Sequence, residues 1–266
     1  MDKYKLLSIK DFAEMTGIKQ STLRYFDDMG LFSPAARGEN GYRYYTPQQI
    51  ITINSIKLLN ELNMPIKRIS ELERNRTPER LLEVLNEKES ELDLEYYSIQ
   101  KALAVVRTLR KMIQTGLNAE VGSISVTYLE ELPIVIGQEN SFEDSYYFFD
   151  PFMDFCRKAG QYRIDLRLPV GGMFDSFESF SVSPSEPNHF FSVDPSGIDK
   201  RAAGKYLTCY GRGYYGETGD LVERMSDYIA RNSIKTTGPV YMIYLHDELS
   251  VQDADKYLYQ AVVMVE

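Results

Sequence analysis

The chain has 266 residues, 43% of them hydrophobic and 26% charged, with a net charge of −9, the profile of a soluble globular protein with room for two domains. Its two cysteines, Cys156 and Cys209, form no CxxC, which argues against a disulfide scaffold or a cysteine-ligated zinc. There is no apolar run of about 18 residues and no signal-peptide core at the N-terminus; the expectation is a cytoplasmic protein without membrane contact, cofactor or metal.

The charge is unevenly spread. Residues 1–76 carry 12 Lys/Arg against 9 Asp/Glu, residues 77–117 carry 6 against 7, and residues 118–266 carry 12 against 23. Contact with phosphate needs local positive charge rather than a basic whole protein. An acidic body disfavours anions and tolerates cations. The charge balance divides the chain into three expected domains, at 1–76, 77–117 and 118–266: a mildly basic head, a near-neutral middle and an acidic body.

In chain order, "SIKDFAEMTG" offers Ser8 as an N-cap, Asp11 three residues on and Gly17 as a stop, so a first helix is expected there. "KQSTLRYFDDMG" reads as a second short helix closed by Gly30, and the pair resembles a helix-turn-helix. Asn40-Gly41 in the following stretch signals a type I′ hairpin, with Tyr42, Arg43 and Tyr44 on its returning strand. Thr46-Pro47 should cap a third helix, and a short fourth follows Met64-Pro65. Thr77-Pro78 opens the longest helix, to about Thr115. Its seam of Leu85, Leu92, Tyr96, Ile99, Leu103, Val106 and Ile113 follows steps of three and four if Glu89 and Arg110 are counted in, the spacing of a coiled coil. Positions 89 and 110 are symmetric about Ile99, so an antiparallel homodimer would set Glu89 against the partner's Arg110.

Beyond Gly122 the period changes to two. Strands are expected in "SISVTYLEELPIVIGQ", "YRIDLRLPV" (Ile164, Leu166 and Leu168 inward), "SFESFSVS", "NHFFSVD", "GKYLTCYGRG", "GPVYMIYLHDEL" and "DKYLYQAVVMVE". Helices are expected in "DSYYFFDPFMDFCRKAG" and "GDLVERMSDYIARN". The order strands–helix–strands–helix–strands is α+β.

The second helix carries Lys19, Ser21, Thr22, Arg24 and Tyr25 toward its N-terminal half, where helix-turn-helix proteins meet base edges and phosphates. Tyr42, Arg43 and Tyr44 on the wing are the remaining candidates for DNA contact, arginine supplying an always charged donor fork. Phe26 and Tyr45 are expected to be core.

Leu23-Arg24-Tyr25-Phe26-Asp27, Gly30-Leu31-Phe32-Ser33-Pro34 and Tyr42-Arg43-Tyr44-Tyr45 resemble, in order, the recognition helix, helix stop and wing of MerR-family transcription regulators. The resemblance covers about residues 5–76 and continues into the long helix. It implies a homodimer joined by antiparallel helices, bound to promoter double-stranded DNA and acting with RNA polymerase by distorting the promoter spacer. The absence of cysteines beside the long helix turns the reading away from metal and redox members and toward the multidrug-sensing branch, whose C-terminal domain is GyrI-like, a repeated strand–helix–strand fold. The fold class expected is therefore a winged helix-turn-helix, a long dimer helix and an α+β GyrI-like domain.

Residues 118–266 hold 13 of the 20 tyrosines, and tyrosine faces suit flat lipophilic cations. Where drug-sensing relatives place a buried glutamate after "VY", this chain has Met242, with Asp255 a possible substitute. The expected effector residues are Tyr146, Phe149, Met153, Tyr206, Tyr210, Met242, Tyr244, Asp255, Tyr257 and Tyr259, taking a small lipophilic drug-like effector. No G-x-S-x-G, triad pattern or metal spacing is present, so no catalytic residue is assigned. The alternative is a drug-sequestering or drug-hydrolysing protein whose DNA binding serves autoregulation.

Overall fold

The structure is a computed structural model that describes residues 6–142, 149–161 and 164–266. The chain forms two compact units, Met1–Glu95 and Tyr96–Glu266.

In the first unit Ser8 caps α1 (Ile9–Thr16): its Oγ accepts from the Asp11 amide at 3.2 Å, and the Asp11 carboxylate accepts from the Ser8 amide at 3.3 Å. α2 (Gln20–Asp28) follows after Gly17. Three short strands, β1 (Leu7–Ser8), β2 (Ala36–Arg37) and β3 (Arg43–Tyr45), pair antiparallel in the order β1-β3-β2. The wing loop differs from the expected type I′ turn. Arg37 pairs with Arg43, leaving residues 38–42 as the loop, and only Gly41 is left-handed (φ 78°). A type I′ turn needs positive φ at both central residues. Asn40 instead turns its side-chain oxygen to the Tyr42 amide at 3.2 Å, closing the bend locally.

α3 (Gln49–Glu61) starts three residues after Thr46, because the Gln49 side chain takes up the Thr46 amide at 3.0 Å and holds Thr46-Pro47 in a turn ahead of the helix. α4 (Ile66–Arg74) completes the unit's core, built on Phe12, Leu23, Phe26, Ile53, Ile56 and Ile69. The Tyr45 ring stacks on Phe12 at 4.4 Å and Phe32 at 5.7 Å, which fixes the wing against α1. α5 (Pro78–Leu117) runs 40 residues, with Thr77 Oγ1 accepting from the Arg80 amide at 3.2 Å at its start.

Among its described residues the second unit forms an eight-stranded antiparallel sheet. Its strands are β4 (Ile124–Leu129), β5 (Leu132–Glu139), β6 (Val170–Phe174), β7 (His189–Ser192), β8 (Asp199–Arg201), β9 (Gly204–Arg212), β10 (Thr236–His246) and β11 (Leu258–Val265), in the order β4-β9-β11-β10-β6-β7-β5-β8. α6 (Phe149–Lys158), α7 (Phe177–Val182) and α8 (Leu221–Arg231) complete it.

Two expected strands are not strands. Residues 177–182 form α7 because Ser176 Oγ accepts from the Ser179 amide at 3.1 Å, an N-cap that overrides the alternation. Residues 164–168 are irregular: Asp165 accepts from both the Arg167 amide (3.1 Å) and its guanidinium (2.8 and 2.6 Å). Ile164 and Leu168 are buried there, but Leu166 is 48% exposed. Arg163 lies outside the described residues.

Period-two alternation gives the sheet two different faces. Val240, Met242 and Tyr244 of β10 pack with Phe180 of α7 and with Leu221 and Met225 of α8. Tyr241, Ile243 and Leu245 point the other way, into a cluster with Phe191, Val193 and Met112 of α5.

Candidate DNA-reading surface and effector cavity

α2 buries Leu23, Phe26 and Asp27 and turns Lys19, Ser21, Arg24 and Tyr25 to solvent, with Thr22 half-buried. These are the side chains a recognition helix offers to a groove. On the wing Tyr42 is exposed and Tyr44 half-buried. Arg43 is placed differently. Its side chain is 20% exposed, its Nε donates to Asp27 Oδ2 at 2.6 Å and its Nη2 to Asp28 Oδ1 at 3.3 Å. Arg37 of β2 adds a second bond to Asp27 at 2.5 Å. Burial pushes the Asp27 carboxyl up, but the hydrogen bond from Arg43 and the charges of Arg37 and Arg43 outweigh it and hold the group below the usual carboxylate range. The guanidinium of Arg43 is thus committed to a strut between wing and recognition helix. Sequence reasoning did not anticipate the strut, although the acidic pair at the end of α2 was its signal.

In the second unit a cavity of about 440 Å³ opens on the helix-bearing face of the sheet, a size suited to one drug-like molecule. β6 and β10 form its floor, with Gly172 opposite Met242 in the register. A Cβ on Gly172 would stand 2.9 Å from Pro187, so glycine keeps both the wall and the space in front of it. Phe149 and Phe152 of α6 and Phe190 of β7 supply apolar wall. Tyr214, Tyr215 and Tyr244 line another side, and Asp247 and Glu248 reach it from the loop after β10.

These polar groups are coupled. The Tyr215 hydroxyl donates to Glu248 Oε2, and its ring meets Tyr244 edge-on at 4.6 Å. The Tyr244 hydroxyl donates to the Tyr214 carbonyl at 2.7 Å. Burial, then the neighbouring Glu248, raises the Tyr215 pKa, and burial raises that of Tyr244, so both phenols stay neutral. Burial also raises the Asp247 carboxyl above its usual range. The result is a lipophilic box with π faces and two carboxylates at one side, with Arg167, paired to Asp165 at 2.6 Å, also in its lining; π faces and carboxylates are the groups that favour an organic cation.

Of the residues singled out from sequence, Phe149, Met242 and Tyr244 line this cavity. Tyr257 and Tyr259 stand behind Tyr244, with ring centroids 6.4 and 5.6 Å away. Met153 is a surface residue of α6, and Asp255 sits in a short 3-10 turn, where its amide donates to Asp253. Tyr206 and Tyr210 face the opposite side of the sheet, because Leu207 and Cys209 between them fill the helix-bearing core. Tyr206 donates to the Ala202 carbonyl at 2.7 Å, and the Tyr210 hydroxyl accepts from Gln260 at 3.1 Å. Tyr146 lies outside the described residues. Tyr214, Tyr215, Asp247 and Glu248 were missed; an acidic pair ending a strand and a Tyr-Tyr pair between glycines were the available signals.

Both histidines are at backbone carbonyls, His189 at 3.1 Å from Gly137 O and His246 at 3.1 Å from Ile113 O, and neither lines the cavity. Along α5 the seam residues Leu85, Leu92, Tyr96, Ile99, Leu103 and Val106 are all exposed in the single chain.

The family model described as MerR HTH family regulatory protein matches residues 7–76. The chain is 28% identical to the Multidrug-efflux transporter 2 regulator of Bacillus subtilis (strain 168), over 94% of this chain and 93% of that protein. It is 29% identical to the Transcriptional regulator BrlR of Pseudomonas aeruginosa, over 70% of this chain and 67% of that one. Among solved structures, the EcmrR–DNA complex in EcmrR-RPo overlays with a TM-score of 0.41 at 15% identity, over 98% of this chain and 99% of that one. Capped helices, wing and matched residues agree: residues 7–76 are a MerR-type helix-turn-helix domain, in a chain similar along nearly its whole length to a regulator of multidrug efflux.

Proposed function

We propose that this regulator is a cytoplasmic homodimer that switches promoter transcription when a lipophilic organic cation enters the cavity between β10, α6 and the loop after β10. The observation that carries the reading is the pairing of an aromatic cavity with Asp247 and Glu248, in a chain whose curated relative is a multidrug-efflux transporter regulator. Glu248 takes the part expected of a glutamate at position 242. α2 and the exposed Tyr42 meet promoter DNA, α5 joins two copies along its apolar seam, and the dimer works on RNA polymerase through spacer distortion, probed at the DNA rather than at the polymerase itself. The effector must bind one DNA-bound state better than the other for any switching to follow.

The cavity is read as a binding site rather than an active site. Its acids lie together on one loop, its phenols stay neutral, and neither histidine reaches it. The test is in-vitro transcription from the promoter upstream of the gene, with tetraphenylphosphonium and its neutral analogue tetraphenylmethane solubilised in cyclodextrin. Output that changes with the cation alone, and no longer does so in Glu248→Gln, supports the reading. Equal response to both compounds, or none, defeats it.

A further inference from the structure

A second cavity, of about 530 Å³, lies on the opposite face of the same sheet. The alternate residues of the central strands form its floor: Tyr241 and Ile243 of β10, Gln260 and Val262 of β11 and Phe191 of β7. α5 contributes Arg107, Lys111 and Met112, and the β4–β5 hairpin closes another side. Its charged lining leans the other way: Arg107, Lys111 and Arg201 with Glu130 and Glu131, where the first cavity has Asp247 and Glu248 with Arg167.

Arg201 is the central feature. It is only 8% exposed, its Nη2 donates to the Glu130 carbonyl at 3.0 Å, and its guanidinium lies 5.2 Å from the Tyr206 ring centroid. Its buried Nε has no hydrogen-bond partner. Among the described residues no carboxylate forms an ion pair with Arg201, Arg107 or Lys111; of the two acids on the rim, Glu131 is neutralised by Lys200 at 2.8 Å and Glu130 is left to set against the three cations. An arginine stays charged in any such site, and a buried charge without a counterion is costly. Three cations without an ion pair thus line one lipophilic cavity, Arg201 from the acidic stretch 118–266 and Arg107 and Lys111 from α5.

We propose that this cavity is a second ligand site, selective for an organic anion with a flat apolar body, an aromatic carboxylate in its simplest form. The carboxylate pairs with the open side of Arg201 and with Arg107 or Lys111. The ring system lies on Phe191, Ile243 and Val262. The site is separate from the cation cavity, because the two are lined by residues of opposite parity on β10.

The test is calorimetric titration of the full-length protein with 2-naphthoate, its neutral counterpart 2-naphthamide, and tetraphenylphosphonium as a probe of the first cavity. The expected result is one naphthoate per chain, bound at least about tenfold more tightly than the amide and not displaced by saturating tetraphenylphosphonium. Arg201→Gln should lose about tenfold in naphthoate affinity. Should that variant not fold, the exposed pair Arg107→Gln/Lys111→Gln decides, with a loss of about threefold or more expected. No binding at millimolar naphthoate overturns the proposal, as does equal affinity for the amide, displacement by the phosphonium, or unchanged affinity in the surface double variant. Glu248→Gln should leave naphthoate binding intact, so failure of the cation site and failure of this one are distinguishable.

Discussion

Arg43 donates its Nε to Asp27 at 2.6 Å, tying the last strand of the wing to the buried face of the recognition helix. The Asp27 side chain is 3% exposed and also holds Arg37. Replacing it leaves the half-buried Arg43 guanidinium with only the exposed Asp28, at 3.3 Å, as its anion. Asp27→Asn should therefore destabilise the DNA-binding unit by about 2 kcal/mol, with the half-exposed Arg37 contributing little. Amide exchange of α2 and β3 in the full chain is the readout, and an unchanged exchange rate there would falsify the strut.

The same pair predicts a pH dependence. Asp27 is depressed in the folded state, so its contribution is fully present above the unfolded carboxylate value of about 3.9 and is lost as pH falls through the lower folded value. Between pH 6 and pH 3 the wild type should lose protection in α2 more steeply than Asp27→Asn. Parallel slopes would mean that other carboxylates govern the acid transition.

At the cation cavity, Glu248→Gln should weaken tetraphenylphosphonium about tenfold, and Tyr215→Phe by a smaller factor, since it removes the hydroxyl that orients the carboxylate. Asp247 is raised by burial, so it protonates at a higher pH than an ordinary carboxylate. Cation affinity should accordingly begin to fall, as pH is lowered, before ordinary carboxylates titrate. Fluorescence titration of a cationic dye from pH 7.5 to pH 4.5 measures this. Affinity that holds level to pH 4.5 rules out Asp247 as a contributor.

Legibility in the sequence followed the range of the interactions. The capping box of α1 and the long α5 are set by neighbours in sequence and were readable. α7 was missed because "SFESFSVS" alternates like a strand, while a single Ser176 cap and packing of Phe180 on Phe174 decide for helix. Aromatic content drew attention to residues 118–266, but strand parity decides which aromatic side chains line the cavity there. One position along β9 separates Tyr206 and Tyr210 from the core residues Leu207 and Cys209. Asp247 and Glu248 lie beyond the end of a strand, where no periodicity marks them.

The seam of α5 makes a prediction about assembly. Ile99 is 51% exposed at its centre, and a charge there would be buried against a partner helix. Ile99→Glu should shift the protein from dimer to monomer in analytical ultracentrifugation. Glu89→Arg should weaken the dimer, and adding Arg110→Glu should restore it if the helices run antiparallel in the expected register. A double variant no tighter than Glu89→Arg alone would remove that register while leaving dimerisation standing.

Gly172 offers the most economical test of the cavity's shape. It faces Met242 across β6 and β10, and its missing side chain keeps the floor open. Gly172→Ala places a methyl 2.9 Å from Pro187, tight enough that the Pro187 segment must shift. Overpacking of this kind costs about 1–3 kcal/mol, and the shift narrows the space in front of Met242. Bulky phosphonium cations should lose affinity severalfold while a small cation such as tetramethylammonium does not, and promoter binding without effector should be unchanged. The size dependence separates a shaped cavity from a merely destabilised sheet, since general destabilisation would weaken both cations alike. Equal losses would place the effector elsewhere than on this floor.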